Sequence, residues 1–299
     1  MPGTRAGIGL RGFSVKHELA KHVLERGYRT VVTARNPDEV NDLAAKGEAL
    51  VLKLDVTDQD QIDAAIKAAD DRFGRIDVLV NNAGIGYFAA VEESEEDQIR
   101  RMFEINVFGL SRMIHAAQPG MRKRRKGSIV NLSSIGGLRS FPATGYHHAT
   151  KFAVEGLSKA LWQEVEPLGI KVMLVEPSGF RTDWAGRSAN ESKRQIDDYA
   201  ATAGARRSQS RSLSGKQPGD PVRAAHAIVK AIESPNPPHI YFLATMPTKP
   251  LRQSSKICAR SSLYGKLFLA GLISPRRHRD RQHEPQSGQS GGWKQSCAL

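Results

Sequence analysis

The stretches Gly127-Ser-Ile-Val-Asn-Leu-Ser-Ser134 and Gly145-Tyr-His-His-Ala-Thr-Lys151 decide the fold. Within the first stretch, Ile129-Val130-Asn131-Leu132 is a short, mostly apolar run that follows a glycine, which predicts a buried strand. The second stretch opens a segment, residues 146–166, that repeats apolar residues at helical spacing. A strand end therefore faces a helix, and polar side chains from both elements can converge on one small volume.

The rest of the chain alternates short apolar runs with amphipathic helical patterns. The runs that predict strands are residues 29–34, 48–55, 76–81, 128–132, 170–176 and 239–244. This alternation is typical of a parallel sheet covered on both faces, so we predict an α/β fold with a doubly wound, Rossmann-like parallel sheet. Ligands of such sheets bind beyond the carboxyl ends of the strands.

The spacing of Ser134, His147 and Lys151 resembles that of the short-chain dehydrogenase/reductase family. In that family a Ser hydrogen-bonds the substrate carbonyl, and a Tyr thirteen residues later donates or accepts its proton. A Lys four residues after the Tyr lowers the Tyr pKa and holds the nicotinamide ribose. The resemblance gives Ser134 and Lys151 these roles, whereas both spacings place His147 at the position of the Tyr.

The neighbouring Tyr146 does not restore the family pattern. Five residues of α-helix rotate a side chain by about 140°, so Tyr146 should point away from Lys151. We therefore assign the proton-donor position to His147. A neutral imidazole can donate a proton near pH 7, and a second cation beside Lys151 would be costly, so the imidazole should stay neutral.

Several further motifs similar to those of the family fall at predicted strand ends. They are Gly3-Thr-Arg-Ala-Gly7-Ile-Gly9, Asp55-Val56, Asn81-Asn82-Ala83-Gly84 and Pro177-Ser-Gly-Phe-Arg-Thr182. By resemblance, these approach the cofactor pyrophosphate, the adenine amino group, the adenosine ribose and the nicotinamide carboxamide, in that order. The residues to which the resemblance assigns cofactor binding are Gly3, Gly7, Gly9, Asp55, Val56, Asn82, Ala83, Gly84, Lys151, Pro177 and Thr182.

Asn106 lies in Glu104-Ile-Asn-Val-Phe-Gly109 and matches an Asn that, in this family, holds a water in line with the Lys. The alternative is an Asn that merely bonds a neighbouring backbone carbonyl. The resemblance thus gives a catalytic set of four side chains, and we expect no metal ion among them. The set is Asn106, Ser134, His147 and Lys151.

The choice of cofactor follows from charge at the end of the second predicted strand. Family members that bind NAD carry an acid there for the ribose 2′-OH, whereas NADP users present a base to the 2′-phosphate. Here the strand ends in Thr33-Ala34-Arg35-Asn36, and Arg5 lies within the glycine-rich stretch. Arg35 and Arg5 therefore favour NADP over NAD, unless both are solvated surface side chains.

The beginning of the chain departs from the family. About six apolar residues precede the glycine loop in the family and form the central strand, whereas only Met1 and Pro2 precede Gly3 here. Moreover, residues 10–16 look inserted before a helix that Ser14 can cap. We therefore expect the first strand to be missing.

The other end is compositionally distinct. Residues 249–299 carry ten Lys and Arg against two acids, which is +8 of the total net charge of +13. We predict one domain over residues 1–248 and a basic, disordered tail over 249–299. Both cysteines, Cys258 and Cys297, lie in this tail, so no structural disulfide is implied and a reducing cytoplasm suits the chain.

These observations predict a cytoplasmic, NADP-linked oxidoreductase that acts on a small carbonyl compound or secondary alcohol, without nucleic-acid or membrane partners. The alternative is a catalytically impaired or dead relative that serves as a binding or oligomerising protein, or a degraded gene product. By analogy with the family, pairing through the helices that hold Asn106 and Lys151 would give a homo-oligomer. The substrate loop, residues 185–215, indicates no defined pocket.

Overall fold

The computed structural model describes residues 7–9, 15–186, 188–244 and 268–271 of the chain. Eight parallel strands of this part form one sheet in the order β10-β9-β7-β6-β4-β1-β2-β3, and β5 pairs with β8 in a separate two-stranded sheet. The strands are β1 (Gly7–Gly9), β2 (Thr30–Ala34), β3 (Ala49–Lys53), β4 (Val78–Asn81), β5 (Gly86–Phe88), β6 (Gly127–Leu132), β7 (Ile170–Pro177), β8 (Ala189–Glu191), β9 (Ile240–Ala244) and β10 (Phe268–Gly271). All six predicted strands are present, each within two residues of its predicted ends.

Helices connect the strands and cover both faces of the large sheet. They are α1 (Val15–Glu25), α2 (Gln59–Phe73), α3 (Glu96–Phe103), α4 (Leu110–Arg124), α5 (Gly145–Val165), α6 (Ala205–Ser212) and α7 (Pro221–Glu233). Between α3 and α4 the chain makes a π-helical turn, Glu104–Gly109. In the described part of the chain, none of the helices combines the length and apolar character that crossing a membrane requires.

The alternation of side chains along β6 shows how the sheet is buried on both sides. Ile129 belongs to an apolar core with residues of α2, α4 and α5, whereas Val130 belongs to a second core with residues of α1 and α7. Successive strand residues point to opposite faces, so both faces need a helical cover. The predicted doubly wound α/β fold is therefore confirmed.

The expectation of a missing first strand is wrong. The short strand β1 lies in the middle of the sheet, where Gly7 pairs with Thr30 of β2 on one side and with Val78 of β4 on the other. Unpaired backbone groups on both neighbours would be costly in a buried sheet, and these three residues satisfy them. Gly7 and Gly9 are therefore strand residues rather than members of a loop.

Part of the predicted tail also belongs to the sheet. Strand β10 pairs in parallel with β9, with Phe268 opposite Tyr241 and Gly271 opposite Ala244. It covers the otherwise open edge of β9, which explains why this short apolar segment adopts a strand. The prediction of a wholly disordered tail is thus corrected for these four residues. Gly3, Arg5, Ser14 and both cysteines lie outside the described residues.

Two carboxyl groups are buried together where β7 ends against α5. Glu176 is 1% exposed and Glu155 is 3% exposed, and Lys159 Nζ lies 2.9 Å from Glu155 Oε2. Burial first, and then the neighbouring charge of Glu155 and a hydrogen bond with it, raise the pKa of Glu176 to about 8. At neutral pH the folded chain therefore holds a proton that the unfolded chain releases.

This retained proton makes stability depend on pH. Because the folded-state pKa of Glu176 is raised from 4.5 to about 8, its contribution is present at low pH and is lost as the pH rises through that interval. The slope should reach about 1.4 kcal/mol per pH unit. We expect Glu176→Gln to reduce the slope of the unfolding free energy against pH, as measured by urea unfolding at several pH values between about 5 and 8. Glu164→Gln, an exposed change on α5, is the matched control, and equal slopes in all three proteins would contradict the assignment.

Candidate active site

Lys151 marks the centre of the site at the carboxyl end of β6. Its Nζ donates a hydrogen bond to the backbone carbonyl of Leu132 at 2.8 Å. Burial lowers the Lys151 pKa to about 8, and the charge of Glu155, one turn later on α5, partly offsets that effect. The ammonium group is therefore mostly protonated at pH 7, and two of its three N–H donors have no partner among the described residues.

His147 lies one helical turn before Lys151 and is 5% exposed. Burial first, and then the cation of Lys151 and the neighbouring imidazole of His148, lower the His147 pKa to about 3, while a hydrogen bond with the Ile85 backbone opposes this shift. The imidazole is therefore neutral at pH 7, as the sequence predicted. Its Nδ1 has no hydrogen-bond partner among the described residues.

Ser134 lies just beyond β6, where it caps a short 3₁₀ turn over Ile135–Gly137. Its Oγ accepts a hydrogen bond from the Gly136 backbone N–H at 3.0 Å. A hydroxyl that accepts this bond still has its own proton to donate. At Gly136 an added Cβ would lie 2.4 Å from Cδ2 of His148, so the loop and α5 pack with no room for a side chain.

The buried side chain of Asn106 lies in the π-helical turn and holds the loop after β4. Its Oδ1 accepts from the Ile85 backbone N–H at 2.8 Å, and its Nδ2 donates to the Ile85 carbonyl at 3.0 Å. The same Nδ2 donates to Thr150 Oγ1 at 3.1 Å. Both side-chain N–H donors are thus occupied, and one of these bonds goes to a neighbouring carbonyl, the alternative that the sequence had left open.

Tyr146 packs away from the catalytic position. It lies against a cluster of Tyr87, Ala89 and Met102, on a different side of α5 from Lys151. This placement agrees with the rotation calculated from helix geometry. The described residues therefore present His147, and not Tyr146, beside Lys151.

Trp184 completes the site and was not identified from the sequence. Its ring centroid lies 4.9 Å from that of His147 and 5.6 Å from that of Phe88. At Gly86 an added Cβ would lie 2.7 Å from Cζ2 of Trp184, so the indole and β5 are in close contact. The only sequence signal was its position two residues after Thr182. The backbone N–H of Trp184 donates a hydrogen bond to Thr182 Oγ1 at 3.4 Å.

The residues that resemble an adenosine site follow β3 and β4. Asp55 Oδ1 accepts from the backbone N–H of Thr57 at 3.0 Å and from its hydroxyl at 2.8 Å. Val56 is buried against Gly109, where an added Cβ would lie 2.6 Å from Val56 Cγ2. Asn82, Ala83 and Gly84 directly follow β4 and are partly buried.

The remaining predicted residues lie at the ends of β2 and β7. Arg35 follows β2 and is exposed, whereas Pro177 is the last residue of β7. Ser178, which replaces a family glycine, donates from Oγ to the Leu243 carbonyl at 3.1 Å. This hydrogen bond attaches the turn after β7 to β9. Thr182 follows it and is partly buried.

The substrate loop is structured, which corrects the expectation that it indicates no pocket. Arg207 lies 3.3 Å from Glu93 and 2.9 Å from Glu191, and Arg211 donates to the carbonyls of Ala185, Gly186 and Ala189. This network borders a cavity of about 410 Å³. Periodicity alone could not reveal it, because the ion pairs join residues far apart in the sequence.

Comparisons with known proteins identify the family. A family model for short chain dehydrogenase matches residues 3–193. An oxidoreductase of Botryotinia fuckeliana, BOA17, is 35% identical over 239 residues, which cover 79% of this chain and 84% of that protein. The chain belongs to the short-chain dehydrogenase/reductase family.

Solved structures of this family agree with the fold. A short-chain dehydrogenase from Streptomyces avermitilis has a TM-score of 0.76 and 35% identity, with 88% of this chain and 96% of that one covered. A gluconate 5-dehydrogenase from Burkholderia cenocepacia, solved with NADP and tartrate, has a TM-score of 0.58 and 30% identity over 62% of this chain and 75% of that one. The chain is thus a member of a family of oxidoreductases that use a nicotinamide cofactor.

The family's nicotinamide dinucleotide is compatible with the side chains at this sheet edge. Lys151 has two free donors for ribose hydroxyls, and Asp55 uses only Oδ1 in its turn with Thr57, so Oδ2 can accept from an amino group. Gly84 approaches Asn106 so closely that an added Cβ would lie 3.3 Å from Oδ1. Small residues, an acceptor and a partly buried cation therefore follow the strands at this edge of the sheet, and their chemistry fits such a cofactor.

Proposed function

We propose that this short-chain dehydrogenase/reductase is an NADP-dependent oxidoreductase of carbonyl compounds or secondary alcohols with a weakened proton donor. The observation that carries the proposal is the position of His147 between Trp184 and the cation of Lys151. When NADPH is bound, the hydride for the carbonyl carbon would come from it. The protein has to place the carbonyl, supply one proton to its oxygen and exclude water.

Ser134 and Lys151 are suited to binding and orientation. The bond from the Gly136 N–H orients Ser134 Oγ. Because Oγ only accepts in that bond, its hydroxyl proton can be donated to the carbonyl oxygen. The ammonium group of Lys151 is anchored by Leu132 O and can hold ribose hydroxyls with its other donors. Donors that are already oriented toward the oxygen need little rearrangement when charge develops on it during the reaction.

His147 is a poor replacement for a phenol. With a pKa of about 3 the imidazolium form is absent at pH 7, so the ring has one N–H to give. A neutral imidazole that loses this proton must gain another at its second nitrogen, since imidazolate is far too basic to persist. We expect turnover to be about two to four orders of magnitude lower than with a tyrosine at position 147, because general acid–base catalysis usually contributes that much.

The same observation favours a second candidate, a catalytically impaired relative whose role is binding or assembly. We propose a homo-oligomer formed through the helical segments that hold Asn106 and Lys151, because Phe108 in the π-helical turn is 52% exposed and Phe152 on α5 is 46% exposed. Burying such side chains stabilises association. Light scattering should give a multiple of the 32.8 kDa chain mass, and Phe152→Glu should shift it toward monomer, whereas an unchanged mass would contradict the interface.

We propose NADP rather than NAD as the preferred cofactor. Arg35 is exposed at the end of β2, where a 2′-phosphate would lie, and the related gluconate 5-dehydrogenase was solved with NADP. NADPH should bind more tightly than NADH by fluorescence titration, and Arg35→Asp should reverse or erase the preference through charge repulsion. Arg72→Asp, at an exposed position on α2, controls for net charge. Equal dissociation constants in the parent would refute the assignment.

The replacement His147→Tyr tests the catalytic assignment. If Ser134 and Lys151 are positioned as proposed, a phenol four residues before Lys151 should raise NADPH-dependent ketone reduction by about tenfold or more. Steady-state NADPH oxidation on a panel of ketones measures this. His147→Phe, which has no proton to donate, is the control and should stay at or below the parent. A tyrosine variant that binds NADPH and turns over no faster than the parent would disprove the assignment of position 147.

A further inference from the structure

Two arginines each place a guanidinium group against the ring of Phe141, which lies between Ser134 and α5 in the chain. The guanidinium carbon of Arg139 lies 4.6 Å from the centroid of the Phe141 ring, and that of Arg206 lies 5.1 Å from it. Arg139 belongs to the segment between Ser134 and α5, whereas Arg206 belongs to α6 in the substrate loop. The pair thus joins the catalytic segment to the loop that covers it.

A series of contacts connects Phe141, on which both arginines pack, to Ser134. The Phe141 backbone N–H donates to His148 Nδ1 at 3.2 Å, and the His148 ring packs directly against Gly136. Gly136 in turn donates to Ser134 Oγ. Burial first, and then the charge of Arg206, lower the His148 pKa to about 4, so His148 adds no positive charge of its own. A continuous series of contacts therefore connects the ring of Phe141, and the two guanidinium groups against it, to Ser134.

Neither guanidinium has an acidic partner. Neither Arg139 nor Arg206 forms an ion pair with any described residue. Arg206 Nη1 donates a hydrogen bond to Gln209 Oε1 at 3.0 Å. The two acids that pair with α6 are already engaged, since Glu93 pairs with Arg207 and Glu191 with both Arg207 and Arg211. An anionic ligand would supply the counterion that the described residues do not provide.

We propose that Arg139 and Arg206 recognise an anionic group, a carboxylate or a phosphate, on the substrate. The reaction rests on the proposed oxidoreductase function, whereas the binding does not. Arg206 uses Nη1 in its bond to Gln209, and the remaining N–H donors of the two guanidinium groups match the geometry of carboxylate and phosphate oxygens. The substrate class is accordingly a ketone, or the corresponding alcohol, with an acidic group some distance from the reacting carbon.

Matched ligands test the proposal by calorimetry on the full chain saturated with NADP. The probes are 4-acetylbenzoate, its methyl ester and 4-acetylphenyl phosphate, which share the ketone and differ in charge. We expect the carboxylate or the phosphate to bind at least about tenfold more tightly than the ester, an advantage that high salt reduces. The tighter of the two anions identifies which acidic group the site takes.

Variants then assign the effect to the two arginines. Arg139→Gln and Arg206→Gln should each weaken binding of the preferred anion by about tenfold and leave the ester within about twofold, consistent with loss of one charge-assisted contact. Arg139→Lys, which keeps the charge, should restore part of the affinity. The control is Arg223→Gln on the exposed side of α7, which should change neither ligand.

The outcomes separate this inference from the proposed function. Equal affinities for anion and ester, no binding of either, or an equal loss in Arg223→Gln would overturn anion recognition. Selective binding without NADPH oxidation, in both the parent and His147→Tyr, would leave anion recognition standing and refute the catalytic proposal. Turnover of both ketones with equal KM would refute anion recognition alone.

Discussion

The fold depends on satisfying the backbone groups at the centre of the large sheet. Strand β1 lies between β2 and β4: all three of its residues pair with β2, and Gly7 and Ile8 also pair with β4. Without this bridge, two buried rows of N–H and C=O groups would lack partners, at a cost of about 1–3 kcal/mol for each group. The carboxyl ends of β3, β4, β6 and β7, which carry the site, hold their relative positions because that sheet is continuous.

Burial determines the charge state of the site. Lys151 places a cation beside His147, and both His147 and His148 are held neutral, mainly by desolvation. Low polarity around a fixed cation strengthens its pull on bound oxygen atoms. The same burial prevents His147 from acting as an acid in its imidazolium form. The environment that suits a phenol thus works against an imidazole at the same position.

The sequence predicted the elements that follow from local pattern. Apolar runs and helical periodicity located six strands and α5, and helix rotation placed Tyr146 away from Lys151. Strand β1 was missed because Gly-Ile-Gly carries almost no strand propensity, and only its neighbours in space make it a strand. The contacts of Trp184 with His147 and of Arg206 with Phe141 join residues far apart in the chain, so no local pattern could predict them. Asn106 was found by resemblance, but its bonds to Ile85 required coordinates.

The contact between Trp184 and His147 has an optical consequence. Indole emission depends on polarity and on nearby proton donors, and this indole lies 4.9 Å from the imidazole at the centre of the site. Displacing water from that space, or changing the ring at position 147, will alter the emission of Trp184. The chain therefore contains its own spectroscopic probe, one that reports on the state of the active site without an added label.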